Sequence, residues 1–213
     1  MIQALTPRDK LLQLIASQSF QLGEFKLSSG GTSDYYIDCR TTTLHAEGAR
    51  LTGRVITDLM QEKGWKPRAI GGMTMGADPI VSAVSILSAQ QIQTRAPART
   101  KPIDGEEFYV HGFLVRKQDK QHGTGKRIEG FQKKMSKVVI VDDVCTTGAS
   151  TIQAIEAARE FGFDVIGVVC LVEREEAGGR AAVEKAANPA KFASVFTAAD
   201  VRQEHLRQKE EQA

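Results

Sequence analysis

Residues 138–151 read VVIVDDVCTTGAST. Val138, Val139, Ile140 and Val141 form an unbroken run of β-formers between Lys137 and Asp142. A run without polar alternation suits a central strand of a parallel sheet, buried on both faces. Two carboxylates, Asp142 and Asp143, end the run, a small-residue turn follows, and a helix is predicted from about Thr151 to Phe161. In open α/β sheets ligands bind in the crevice at the carboxyl ends of the strands, and that is where the two acids stand. Because the turn opens a helix, the main-chain N–H groups of Val144, Cys145, Thr146, Thr147, Gly148, Ala149 and Ser150 can converge on an anion, aided by the helix dipole. The hydroxyls of Thr146, Thr147, Ser150 and Thr151 add donors. A phosphate fits the turn, whereas adjacent carboxylates would repel it and suit a hydroxyl-rich or metal-bearing part of the same ligand. A phosphorylated sugar meets both demands. Read alone, the fragment also fits an ordinary turn in which Thr147 caps a helix. No Walker A spacing and no G-x-G-x-x-G occur.

Outward from this stretch, strands alternate with helices, which implies βαβ units and a doubly wound parallel sheet. Thr6-Pro7 starts an amphipathic helix expected to stop near Gly23, and short strands are expected at Glu24–Leu27 and Tyr35–Cys39. Leu51, Val55, Leu59 and Met60 share one face of a helix over Ala46–Lys63. A strand around Arg68–Gly71, a helix from Asp78-Pro79, a polar loop over 95–107 and a strand at Phe108–Val115 follow. Beyond the quoted stretch come a strand at Val165–Val172, a helix at Gly178–Ala187, a strand at Phe192–Phe196 and a charged end expected to be a solvated helix or tail. One domain is expected over 1–213, with an N-terminal hood over about 1–45, a core over about 46–200 and a charged tail over about 201–213.

The chain has 213 residues, 41% hydrophobic and 25% charged, which is the composition of an ordinary globular protein. No apolar run approaches the roughly 18 residues of a membrane helix, so no membrane association is expected. MIQALTPRDK lacks the pattern of a secretory signal. Cys39, Cys145 and Cys170 are odd in number and far apart, which argues against a disulfide framework or zinc site and for a reducing cytoplasm. His45 and His111 have no metal-ligand spacing, so no metal held by the protein alone is expected. A net charge of +2 is too balanced for a global nucleic-acid footprint.

Charge is concentrated locally. Arg116, Lys117, Lys120, His122, Lys126 and Arg127 crowd one segment, opposed by Asp119 and Glu129 and hinged by Gly123, Gly125 and Gly130. Such a run is either a solvated loop or a lid whose cations meet a strongly anionic leaving group and exclude water. Arg174 follows an apolar strand and could grip a carboxylate bidentately.

VVIVDDVCTTGAS resembles the 5-phosphoribosyl-1-diphosphate (PRPP) signature of type I phosphoribosyltransferases. Over roughly residues 5–200 the chain resembles the orotate phosphoribosyltransferase family, on FKLSSGGTSDYYIDCR (25–40), GGMTMGADPI (71–80), LVRKQDKQHGTGKRIEG (114–130) and LVEREEAGG (171–179). The resemblance implies an α/β fold with a mostly parallel sheet flanked by helices, a small N-terminal hood and a flexible catalytic loop. It implies transfer of the phosphoribosyl group from PRPP to orotate, with Mg²⁺ held mainly by the diphosphate and the ribose hydroxyls. Asp142 and Asp143 would orient the ribose hydroxyls, residues 146–150 would anchor the 5′-phosphate, and Val144 and Cys145 would belong to the same PRPP-binding stretch. Arg116, Lys117, Lys120 and His122 would meet the diphosphate, with Lys120, His122 and Asp143 the catalytic set. Tyr35 or Tyr36 would stack on the pyrimidine, with Thr146 and Arg174 at orotate. A loop reaching a neighbour's site implies a homodimer. Many relatives carry lysine where Ser28 stands and Tyr-Lys where Thr74-Met75 stands, and Lys26 could substitute for the missing charge. The alternatives are a phosphoribosyltransferase for another base and a non-catalytic PRPP-sensing regulator that binds nucleic acid.

Overall fold

A computed structural model describes residues 4–26, 31–95, 109–117 and 127–212. Helix α1 (Pro7–Gln18) opens on a capping box: Asp9 N–H donates to Thr6 Oγ1 at 3.1 Å, and Thr6 N–H donates to Asp9 Oδ2 at 2.9 Å. The chain then turns at Ser19 into strand β1 (Phe20–Lys26), which pairs antiparallel with β2 (Thr32–Ile37) in a separate ribbon. The helix therefore ends before Gly23, and the strand begins four residues earlier than the pattern predicts. The reason is tertiary: Phe20 is buried, its ring stacked 5.4 Å from Tyr35.

Helices α2 (Arg40–Thr43) and α3 (Ala46–Glu62) lead to β3 (Ala69–Met73), and α4 (Ala77–Arg95) to β4 (His111–Val115). Next come β5 (Ile128–Gly130), β6 (Lys137–Cys145), α5 (Ala149–Phe161) and β7 (Asp164–Glu173). A 3-10 turn (Glu175–Ala177), α6 (Gly179–Ala187), β8 (Lys191–Thr197) and α7 (Ala198–Glu210) complete the chain. The main sheet has the order β5-β4-β3-β6-β7-β8, parallel throughout except for β5, which runs antiparallel on the edge.

Alternate residues of the central strands feed two cores. Val139, Val141, Val169 and Leu171 pack on the side of α1, α3, α4 and α7. Val138, Ile140, Val168 and Cys170 pack on the side of α5 and α6. Each buried aliphatic contributes about 1.5–3 kcal/mol, and coverage of both faces explains the unbroken apolar run. The short edge strand β5 was not predicted, because only Ile128 among its three residues is buried. The charged C-terminal end is a helix, one of the two forms expected, but it is docked on α1 rather than solvated all round: Val201 is fully buried, His205 Nδ1 lies 2.8 Å from Ala16 O, and Gln208 donates to Gln13 O. The expected loop over 95–107 lies outside the described residues, except Arg95 at the end of α4.

Candidate functional site

At the carboxyl ends of β3, β6 and β7, facing the β1–β2 ribbon, lies a cleft of about 750 Å³. The ribbon and the segment after it supply Lys26, Tyr36, Ile37, Asp38 and Arg40; the turn after β3 supplies Thr74, Met75 and Gly76. Lys117 follows β4, Asp142, Asp143 and Val144 end β6, Thr146 and Ser150 come from the turn into α5, and Arg174 follows β7.

The two acids are held differently. Asp142 is 7% exposed; Thr151 Oγ1 donates to its Oδ2 at 2.6 Å and Asp143 N–H to its Oδ1 at 3.1 Å. Burial raises its pKa from 3.8 to about 7, with Thr151 pulling the other way. Asp143 accepts the Val144 N–H at 2.9 Å, and burial raises its pKa too, opposed partly by the Arg40 charge. An ideal Cβ on Gly76 would stand 2.4 Å from Asp143 Oδ1, so residue 76 must lack a side chain for the acid to sit there. Arg40 itself is clamped bidentately on Asp38, Nε to Oδ1 and Nη2 to Oδ2, both at 2.8 Å.

Gly148 takes the left-handed conformation, φ 77°, at the cap of α5, which turns the chain from strand to helix and leaves the first-turn N–H groups without helical acceptors. The start of α6 supports this turn from below: a Cβ on Gly179 would lie 2.2 Å from Thr146 O. Arg174 N–H donates to Cys145 O at 2.9 Å, which ties the ends of β6 and β7 together.

Of the residues read from the sequence, Asp142, Asp143, Val144, Thr146, Ser150, Lys117, Tyr36 and Arg174 converge on the cleft. Thr147, Gly148 and Ala149 form the turn but do not line it, and Cys145 is buried beneath, its N–H donating to Cys170 Sγ at 2.9 Å. The two tyrosines separate: Tyr36 is on the cleft side, whereas Tyr35 is 7% exposed, packed on Phe20 and under Arg174. Arg116 lies outside the lining and pairs with Glu129 at 3.6 Å. Lys120 and His122 lie outside the described residues. Lys26, the substitute considered for Ser28, does line the cleft; Ser28 lies outside the described residues. Sequence reading did not find Asp38, Arg40 or Gly76. Their signal was the pairing of opposite charges two residues apart and the glycine after β3.

A second cavity, about 820 Å³, opens at the opposite, amino-terminal end of the strands, lined among others by Trp65, Arg68, Ile92, Lys133 and Lys137. Among the described residues no Asp or Glu lines it, and none of the lining residues belongs to the motifs above.

The sheet order, the paired acids and the glycine turn place the chain in the phosphoribosyl transferase family, whose domain matches residues 41–187. A chain from Rhodopirellula baltica named orotate phosphoribosyltransferase is 38% identical over 179 residues, covering 82% of this chain and 85% of that one. The crystal structure of the Mycobacterium tuberculosis orotate phosphoribosyltransferase superposes with a TM-score of 0.72 at 34% identity, covering 92% of this chain and 99% of that one. The structure of that M. tuberculosis enzyme in complex with PRPP aligns at a TM-score of 0.65 and 28% identity, over 93% of each chain. Within the wider family, the chain belongs to the orotate phosphoribosyltransferases.

Proposed function

We propose that the chain transfers the 5-phosphoribosyl group of PRPP to orotate, giving orotidine 5′-monophosphate and diphosphate in pyrimidine biosynthesis. The observation that carries this reading is the joint presence in one cleft of the Asp142–Asp143 pair, the turn into α5 and Arg174. A single phosphorylated pentose can span the first two, and a carboxylate-bearing base can reach the third.

The turn over 146–150 offers its amides and the hydroxyls of Thr146 and Ser150 to the 5′-phosphate, while the Val144 and Cys145 N–H groups are taken by Asp143 and Cys170. Asp142 and Asp143 accept from the ribose hydroxyls and, once ionised, offset positive charge growing at C1 as the bond to diphosphate lengthens. Lys117, with Arg116, Lys120 and His122 on the sequence reading, neutralises the departing diphosphate. Tyr36 borders the base, and Thr146 and Arg174 hold its polar edges; Tyr35 acts from behind Arg174. Catalytic weight falls on Lys120, His122 and Asp143.

Magnesium fits the donor set. Two adjacent carboxylates, Asp142 and Asp143, are hard oxygen ligands that leave most of a coordination shell to other groups. This suits an ion completed by substrate oxygens. When bound, Mg²⁺ supplies charge neutralisation at the diphosphate. We further take the chain as a single domain acting as a homodimer in the cytoplasm without a nucleic-acid partner. Among the described residues no helix is long and apolar enough to cross a membrane.

A base screen tests the reading: diphosphate release from PRPP with Mg²⁺ is measured with orotate, uracil, adenine, guanine and hypoxanthine in turn. Release is expected with orotate. Release with another base and none with orotate overturns the assignment.

A further inference from the structure

The guanidinium of Arg174 is held along one edge. Its Nε–H donates to the Tyr35 hydroxyl at 2.9 Å and to Glu176 Oε1 at 3.0 Å, and Nη2 donates to Ser33 Oγ at 3.1 Å. The Tyr35 hydroxyl donates to the same Glu176 oxygen. Below the guanidinium, the Tyr35 ring centroid lies 4.5 Å from Cζ, and that ring rests in turn on Phe20. Nη1 makes no hydrogen bond among the described residues. A guanidinium has five N–H donors arranged along a side edge, Nε with Nη2, and an end edge, Nη1 with Nη2. Here the side edge is taken by protein, while the residue lines the cleft.

Charges within the cluster follow the same arrangement. Burial and the bond to Glu176 push the Tyr35 phenol up to about 12, so its proton stays on the ring oxygen. The Glu176 carboxyl is held below its ordinary range by its hydrogen bonds to Tyr35 and Arg174, against desolvation. An ionised Glu176 can therefore accept from Tyr35 and Arg174 together. Ser33 and Tyr35 belong to the N-terminal ribbon, and Arg174 and Glu176 to the segment after β7, so the cluster is also a joint between hood and core.

We propose that Glu176 is a positioning residue for base selection: it fixes the side edge of Arg174 and leaves the Nη1–Nη2 fork for the carboxylate of the incoming base. This rests on the orotate reading above. An arginine free to swing would spread its donors over several orientations and favour a carboxylate-bearing base less strongly over one without that group.

The test is steady-state kinetics on the full chain, with orotate and PRPP each varied at saturation of the other, for Glu176→Ala, Glu176→Gln, Tyr35→Phe and the Tyr35→Phe/Glu176→Ala double variant. Glu176→Ala is expected to raise the orotate KM by about tenfold or more, the cost of one lost charge-assisted bond, with the PRPP KM within about twofold. Glutamine, which keeps the acceptor without the charge, should fall between wild type and alanine. The double variant should cost less than the product of the two single effects, because both act on one guanidinium edge. The ratio of orotate to uracil turnover should fall in parallel. An unchanged orotate KM, a PRPP KM that rises equally, or independent effects in the double variant would overturn the proposal. Should the alanine variant not fold, Tyr35→Phe keeps the stacked ring and must by itself raise the orotate KM at least about threefold with the PRPP KM steady; otherwise the proposal falls. A wild-type chain inactive with orotate rejects the functional reading instead, before any variant is compared.

Discussion

The two ends of the parallel strands differ more than their cavities' sizes suggest. The amino-terminal cavity is the larger, about 820 Å³ against about 750 Å³, and its lining mixes Trp65 and Ile92 with lysines. The carboxyl-terminal cleft is the smaller, yet it holds one buried and one partly buried acid, a left-handed glycine turn with open amides and an arginine fixed on one edge. Space and apolar lining are cheap consequences of strand ends and helix ends that do not meet. A buried Asp142 beside a partly buried Asp143 is not: desolvating carboxylates opposes folding, and such groups persist where a ligand compensates. The difference teaches that groups held at a cost locate the chemistry better than volume does.

That contrast can be broken by mutation. The largest effect is expected from Asp143→Asn, which keeps the shape and removes the charge that the proposed mechanism sets against the ribose. Diphosphate release should fall by about a hundredfold or more, as for loss of one preorganised electrostatic group; a fall of less than threefold would remove Asp143 from the catalytic set. Gly179→Ala comes next. Its methyl would stand 2.2 Å from Thr146 O, so the turn must shift. The PRPP KM should rise by about tenfold, and stability should drop by about 1–3 kcal/mol. A normal PRPP KM would show that the turn does not carry the 5′-phosphate.

The third expectation concerns pH. Asp142 has a folded pKa of about 7, raised mainly by burial, against an ordinary value of 3.8. A carboxyl raised in the folded state favours folding when protonated, so its contribution is full below about pH 4 and is lost as pH rises through 7. The ligand-free protein should therefore be about 2 kcal/mol or more stabler at pH 5 than at pH 8 with respect to this group. Asp142→Asn should flatten that part of the profile, while activity falls. Denaturant titrations at both pH values check it, and an Asn variant with the wild-type pH slope contradicts it. The smallest effect belongs to the other end of the sheet. Lys133→Ala, in the amino-terminal cavity, should leave kcat and both KM values within about twofold, the usual outcome for a surface change away from a site.

How far the sequence was legible follows the same division. Val138–Val141 and α5 could be read because burial on both faces leaves an unbroken apolar run, but the strand continues through Asp142 to Cys145, where polar and small residues point to a turn already begun. β5 could not, since a three-residue edge strand with one buried side chain carries no period. The choice between Tyr35 and Tyr36 was equally closed: alternation says that they diverge, but their sense is set by the register with β1, Leu22 opposite Tyr35. Glu176 looked like one acid among several in EREEAGG; only the folded backbone brings it to Tyr35, 141 residues away. Docking of α7 was hidden by its charge, because few side chains, Val201 among them, make the contact.

The central claim is that the amide turn and the twin acids together bind a phosphorylated pentose carrying diphosphate. Isothermal titration of PRPP into the protein with millimolar Mg²⁺ addresses it most directly. Saturable heat with one site per chain, weakened at least tenfold in Asp143→Asn and competed by ribose 5-phosphate, is the predicted result. Folded wild-type protein that gives no heat with PRPP under these conditions would contradict the account.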